Sequence, residues 1–170
     1  MAMIACILHE LGHYGAIRAL GGNVHFVRIT AIGAEMYISK TIGYVREGIC
    51  ALAGPGVNLL LAVAFCGKEN WIVFSGINLA LGCFNLLPLS HLDGGRALRC
   101  TLALLVGPIS AERIGFLFDA VMTVCVFVLG IFFAGVGRNV TLLFVSLWVM
   151  AVFAKRKSGE IGLVRWGGNE

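Results

Sequence analysis

Charge is what this 170-residue chain has least of: Asp, Glu, Lys and Arg together make up 13% of it. A soluble domain carries about 25%. At half that share the chain has too little polar surface to cover a water-soluble globule. This argues against a soluble enzyme, a disordered tail and a nucleic-acid-binding domain alike. Paired cysteine spacing is also missing. Cys6, Cys50, Cys66, Cys83, Cys100 and Cys125 stand singly in or beside apolar runs, so they read as small buried hydrophobes and not as a disulfide framework. No basic segment precedes the first apolar stretch, which carries His9, Glu10 and His13 in its centre; a signal peptide has neither feature. Repeats and low-complexity segments are absent too.

Apolar residues are abundant, at 59% with a mean hydropathy of +0.92, and there are 23 glycines. This is the composition of an all-α polytopic membrane protein, with room for about four to six spans of ~20 residues each. Glycine is expected where such helices pack closely. Five spans are predicted, at about 2–20, 49–66, 71–87, 114–134 and 140–154, with a short helix carrying Arg96 and Arg99 before Gly107-Pro108. Between the first two spans, Val24, Phe26, Arg28, Thr30, Tyr37, Ile38, Ile42 and Tyr44 alternate with polar or small residues. Residues 23–46 therefore predict a β-hairpin or small sheet at the membrane surface. Residues 1–154 read as one transmembrane domain with that hairpin inserted, and 155–170 as a short polar tail.

If all five spans cross, Arg18, Arg28, Lys40, Arg46, Arg96, Arg99, Arg113, Lys155, Arg156, Lys157 and Arg165 lie on one side, and Lys68 and Arg138 on the other. The positive-inside rule makes the crowded side cytoplasmic. Hairpin and C-terminus then face the cytoplasm, and the N-terminus faces outward. The formal net charge of +4 is a topology signal on this reading, and no nucleic-acid partner is expected.

The first span contains His9-Glu10-Leu11-Gly12-His13, an HExxH pattern. On a helix, positions i and i+4 share a face, so both histidines can present ring nitrogens to one metal ion. Glu10 is then placed to act as general base on a water held there. In a chain of this composition the pattern is expected by chance about 0.004 times. Three ionisable groups inside an apolar helix are costly in lipid unless they serve a site. A tetrahedral zinc site needs a third protein ligand and one open position. Asp93 is preferred, because it follows a helix interrupted by Asn85 and Pro88, and Gly94-Gly95 let backbone pack closely around it. Asp119, in the fourth span, is the alternative, with a buried interhelical acid as its plainer reading. His91 sits in the irregular segment before Asp93 and is the weaker candidate. His25 belongs to the hairpin and is given no role.

HELGH in one membrane helix, AGPGVN in the next and NLLPLSHLDGG after the third resemble the intramembrane zinc metalloproteases of the site-2 protease family. The compact form, without a PDZ insertion, most resembles the bacterial sporulation-type branch. The resemblance covers about residues 2–107. It implies one Zn2+ held by His9, His13 and Asp93, with Glu10 as catalytic base. It places Asn58 and Asn85 near the substrate or the oxyanion, and has Gly54 and Pro55 shape the second helix. Ser90-His91 stand where the family often has proline-rich residues. The implied protein is a multi-pass enzyme of the bacterial cell membrane. It would cleave a membrane-protein substrate in or near a transmembrane segment, a tethered transcription factor or a pro-protein for example, and release a cytoplasmic factor. A zinc-binding regulatory membrane protein without turnover is the alternative.

Overall fold

The computed structural model describes residues 1–22, 24–30, 33–38 and 43–136 together with 147, 150 and 151, and of the two strands the backbone. Five α-helices and one hairpin follow in chain order: α1 (Ala2–Ala19), β1 (Val24–Thr30), β2 (Gly33–Ile38), α2 (Tyr44–Phe65), α3 (Ile72–Asn85), α4 (Asp93–Val106) and α5 (Pro108–Gly135). They fall into two compact units, residues 1–115 and 116–170. The span expected at 140–154 and the tail at 155–170 lie almost wholly outside the described residues.

α2 organises the first unit, packing against α1, α3 and α4. Its buried residues, Glu47, Cys50, Ala51, Gly54, Pro55, Asn58 and Ala62, recur every three or four positions and form one face. Most of them are small. In lipid, helices gain little from burying leucine, and close approach across small residues takes over. Large apolar side chains are widely exposed, Leu60, Val63, Ile72, Leu105 and Ile109 among them. With 22 and 28 residues, α2 and α5 are long and apolar enough to cross a bilayer, which needs about 20 residues. Both helices fit a membrane-spanning place.

Three boundaries differ from the sequence reading. α1 ends as expected at the glycine pair, where Gly21 adopts a φ of +81° that L side chains avoid. The hairpin is described as far as Ile38, residues 39–42 lie outside the described residues, and Tyr44, Val45 and Arg46 already belong to α2, with Gly43 before its first turn. Alternation continued into these residues because the first turn of α2 is exposed and mixed in polarity. The fourth long helix starts at Pro108 and not near Ile114. Gly107, at φ +83°, breaks the chain after α4, and proline suits the first position of the next helix. α3 has only 14 residues, shorter than the 71–87 span expected. At its start Phe65, Trp71 and Phe74 pack ring to ring, with the Lys68 ammonium 5.0 Å from the Phe65 centroid. Ser75 donates to the Ala62 carbonyl at 2.7 Å and ties α3 to α2.

Candidate metal centre

The HExxH residues lie in the middle of α1. His9 and His13 share its buried stripe with Ala5 and Ile17, as the i, i+4 spacing requires. Small residues let α2 approach that stripe. A Cβ on Gly54 would overlap the His13 ring, and one on Gly12 would crowd the Ala53 carbonyl and Val57. Pro55 lacks the N–H that would bond the Ala51 carbonyl, so the helical ladder is interrupted in this turn. The neighbouring Cys50 carbonyl accepts the His13 Nδ1 proton at 2.8 Å.

Asp93 arrives from the far side, as the first residue of α4. Residues 86–92 fold tightly over that helix start: a Cβ on Gly94 would overlap the Leu86 carbonyl, and one on Gly95 the Leu89 carbonyl. Only glycine fits at either position, which gives the Gly94-Gly95 pair its structural reason. The helix N-terminus favours a carboxylate, and the Arg96 guanidinium lies 3.7 Å from Asp93 Oδ1. The other oxygen, Oδ2, lies 3.1 Å from His9 Nε2 and 3.2 Å from His13 Nε2.

The two Nε2 atoms are 3.1 Å apart. Both Nδ1 atoms are engaged by acceptors, His13 by the Cys50 carbonyl and His9 by Asn58 Oδ1 at 2.6 Å. Each Nδ1 therefore carries a proton, and the two Nε2 atoms face the same point as Asp93 Oδ2. Two ring nitrogens and a carboxylate oxygen placed so closely require positive charge among them, a metal ion or a shared proton. The separations suit a metal ion. Donors around a tetrahedral zinc with bonds of ~2.0–2.1 Å stand roughly 3.3 Å apart. Among the described residues, His9, His13 and Asp93 are the group whose donor atoms converge in this way. Two histidines held through Nδ1 and one carboxylate, with outer hydrogen bonds fixing the rings, form a donor set that fits zinc.

The other candidates take different places. Glu10 is partly buried, next to His9 in the same helix. Asn58 requires a correction. It is fully buried, its oxygen accepts from His9, and its Nδ2 donates to Asn78 Oδ1 at 2.8 Å and to the Ala5 carbonyl at 3.4 Å. With its amide used on every side it supports His9 from behind and has no donor left for a substrate. Asn85, the last residue of α3, is partly buried and donates one N–H to the Leu81 carbonyl at 3.0 Å. His91 is not among the converging donors, and neither is Asp119, which is buried in the second unit. The His25 side chain lies outside the described residues. Sequence reasoning missed Asn78 and the link from Arg96 to Asp93. The signal for Asn78 was an amide in the middle of an apolar helix, where an unpaired polar group is costly and a partner must exist.

Known proteins resemble this chain in sequence and in fold. The sequence model of peptidase family M50 matches residues 67–129. A zinc metalloprotease of Methanocaldococcus jannaschii is 27% identical over 162 residues, which cover 88% of this chain and 46% of that protein. Rip3 of Mycobacterium tuberculosis is 33% identical over 122 residues, 60% of this chain and 30% of that one. The chain thus spans less than half the length of these relatives. The solved structure of a site-2 protease from Methanocaldococcus jannaschii superimposes with a TM-score of 0.71 over 99% of this chain and 80% of that one, at 22% identity.

Proposed function

Starting from the chain's kinship with peptidase family M50 and its site-2 protease fold, we propose that it is an intramembrane zinc metalloprotease. It hydrolyses a peptide bond within or beside a transmembrane segment of another membrane protein. The observation that carries this reading is the convergence of His9 Nε2, His13 Nε2 and Asp93 Oδ2, with both histidine protons held on Nδ1. These three residues hold one zinc ion. When bound, zinc supplies Lewis acidity, bringing the pKa of water toward ~7 and polarising the scissile carbonyl. The Glu10 carboxylate takes the proton of the attacking water and passes it to the leaving amine nitrogen. Asn85, with a second N–H beyond the one given to Leu81, donates to the oxyanion.

The substrate must be locally unwound, because helix carbonyls are hydrogen-bonded internally. The β1–β2 hairpin offers a strand edge to the unwound segment. His13 lies eight residues before Gly21, about 12 Å along a helix, so cleavage occurs inside the bilayer toward the hairpin side. With eleven of the 13 Lys+Arg residues assigned to that side, the five-span arrangement makes it cytoplasmic, and a regulatory factor or a matured pro-protein is released there. The direct test is zinc analysis together with cleavage of a transmembrane peptide by the purified protein. Metal bound without any cleavage would support the non-catalytic regulatory reading instead.

Two further outcomes are expected. Asp93→Ala lowers zinc occupancy far more than Asp119→Ala, because Asp93 alone of the two meets the histidines. Metal analysis with the reverse ordering would make Asp119 the third ligand. Orientation is tested in a background without the six native cysteines, using an impermeant thiol reagent on single cysteines at Lys40, Glu69 and Ser158. In intact cells only the Glu69 position is expected to react. Labelling at Lys40 or Ser158 would invert the arrangement or change the number of spans.

A further inference from the structure

Behind His9 stands a row of two asparagines, both fully buried. His9 Nδ1 donates to Asn58 Oδ1, Asn58 Nδ2 donates to Asn78 Oδ1, and Asn78 Nδ2 donates to the Phe74 carbonyl at 2.9 Å. We propose that Asn78 is a positioning residue of the metal centre: it fixes the orientation of the Asn58 amide and thereby holds His9 with its proton on Nδ1 and its Nε2 lone pair turned toward the metal. This rests on the reading of the site as a metal centre.

The direction of the row is set by groups with no choice. A backbone carbonyl can only accept, so Phe74 takes an N–H from Asn78 and presents the Asn78 oxygen to Asn58. Asn58 must answer with its NH2, which also reaches the Ala5 carbonyl, and its own oxygen is left for His9. Reversing Asn78 would set NH2 against the Asn58 NH2 and oxygen against the Phe74 carbonyl, and reversing Asn58 would set its oxygen against Asn78 Oδ1 and the Ala5 carbonyl. A reversed Asn58 would present its NH2 to His9 Nδ1, drive the ring proton to Nε2 and put it where the metal belongs. A free neutral imidazole prefers the proton on Nε2, so the row works against that preference. Three helices take part: α1 supplies the histidine, α2 the middle amide and α3 the residue that orients it.

The test uses the whole protein in detergent micelles, with zinc as the probe, and compares wild type with Asn78→Leu and Asn78→Asp. The protonated carboxyl of Asn78→Asp still accepts from Asn58 Nδ2 and has an O–H to give the Phe74 carbonyl. Asn78→Leu keeps the branched four-atom outline and removes the acceptor. Chelator competition is expected to give 10–100-fold weaker zinc binding for Asn78→Leu, the usual scale for outer-shell changes, with Asn78→Asp close to wild type. The 15N resonances of His9 in the metal-free protein are expected to report an Nδ1–H ring in wild type and Asn78→Asp, and a shift toward the Nε2–H form in Asn78→Leu. If the leucine variant does not fold, Asn78→Ala replaces it with the same expected results. An unchanged tautomer and unchanged affinity in the leucine or alanine variant would overturn the proposal. Equal damage in the aspartate and leucine variants would also overturn it, because that is the signature of packing alone. If wild type itself binds no zinc, the metal reading fails, and the tautomer measurement still decides the role of Asn78.

Discussion

Glu10→Gln is expected to lower cleavage by at least ~10²–10⁴-fold, the scale for losing a general base, while zinc content stays at the wild-type level. The substitution keeps shape and volume and removes only basicity. The converging donor atoms belong to His9, His13 and Asp93, so the donor set stays intact. Parallel assays of zinc content and of cleavage of a transmembrane peptide check both halves. Near-normal cleavage by the variant would remove Glu10 from the role of base. Loss of zinc along with activity would instead make Glu10 part of the structural support of the site.

Gly54→Ala is expected to disable the site through sterics, with no ligand altered. The new Cβ would overlap Nε2 and two carbons of the His13 ring, and the ring has to swing away. It then loses the Cys50 carbonyl as partner for Nδ1, and its Nε2 leaves the group formed with His9 and Asp93. Zinc affinity should therefore fall by more than the ~10–100-fold of an outer-shell change, with the overpacking itself costing about 1–3 kcal/mol of stability. Gly56→Ala is the control. It sits two residues along the same helix with open space at its Cβ, and alanine there favours the helix by roughly 0.5–1 kcal/mol. Chelator competition and thermal unfolding of both variants check the pair. A Gly54→Ala protein with native zinc affinity would show that the ring is held less tightly than the packing implies.

The contrast between the two glycines marks where sequence reasoning stops. Both lie in AGPG, and nothing local distinguishes Gly54, which faces the His13 ring, from Gly56, which faces open space. The same limit applies to the asparagines. Asn58, Asn78 and Asn85 all stand in apolar helices, and each was bound to find a hydrogen bond. The resemblance gave Asn58 a place beside the substrate, whereas the packed helices use it to hold His9. Asn78 received no role until α3 was seen to bring it against Asn58. Boundary errors have a local cause of the same kind: alternation that reaches Tyr44 suits an exposed first helical turn as well as a strand.

By itself the sequence determined what depends on composition and short spacing. Scarce charge and long apolar runs require a lipid-facing exterior, because buried or lipid-exposed charge is too costly. HExxH requires two imidazoles on one helix face, because 3.6 residues make a turn whatever surrounds it. Asp93 was legible as the candidate acid because the helix break and the double glycine sit beside it in the chain. Only the tertiary structure decided that this acid meets those histidines across sequence separations of 80 and 84, that Gly54 is the residue making room for the ring, and that two buried amides and one carbonyl choose the protonated nitrogen of each imidazole. Those choices rest on the close approach of α1, α2, α3 and α4. Hydrogen-bond direction is a property of paired groups, and residues far apart in the chain become pairs only when the helices pack.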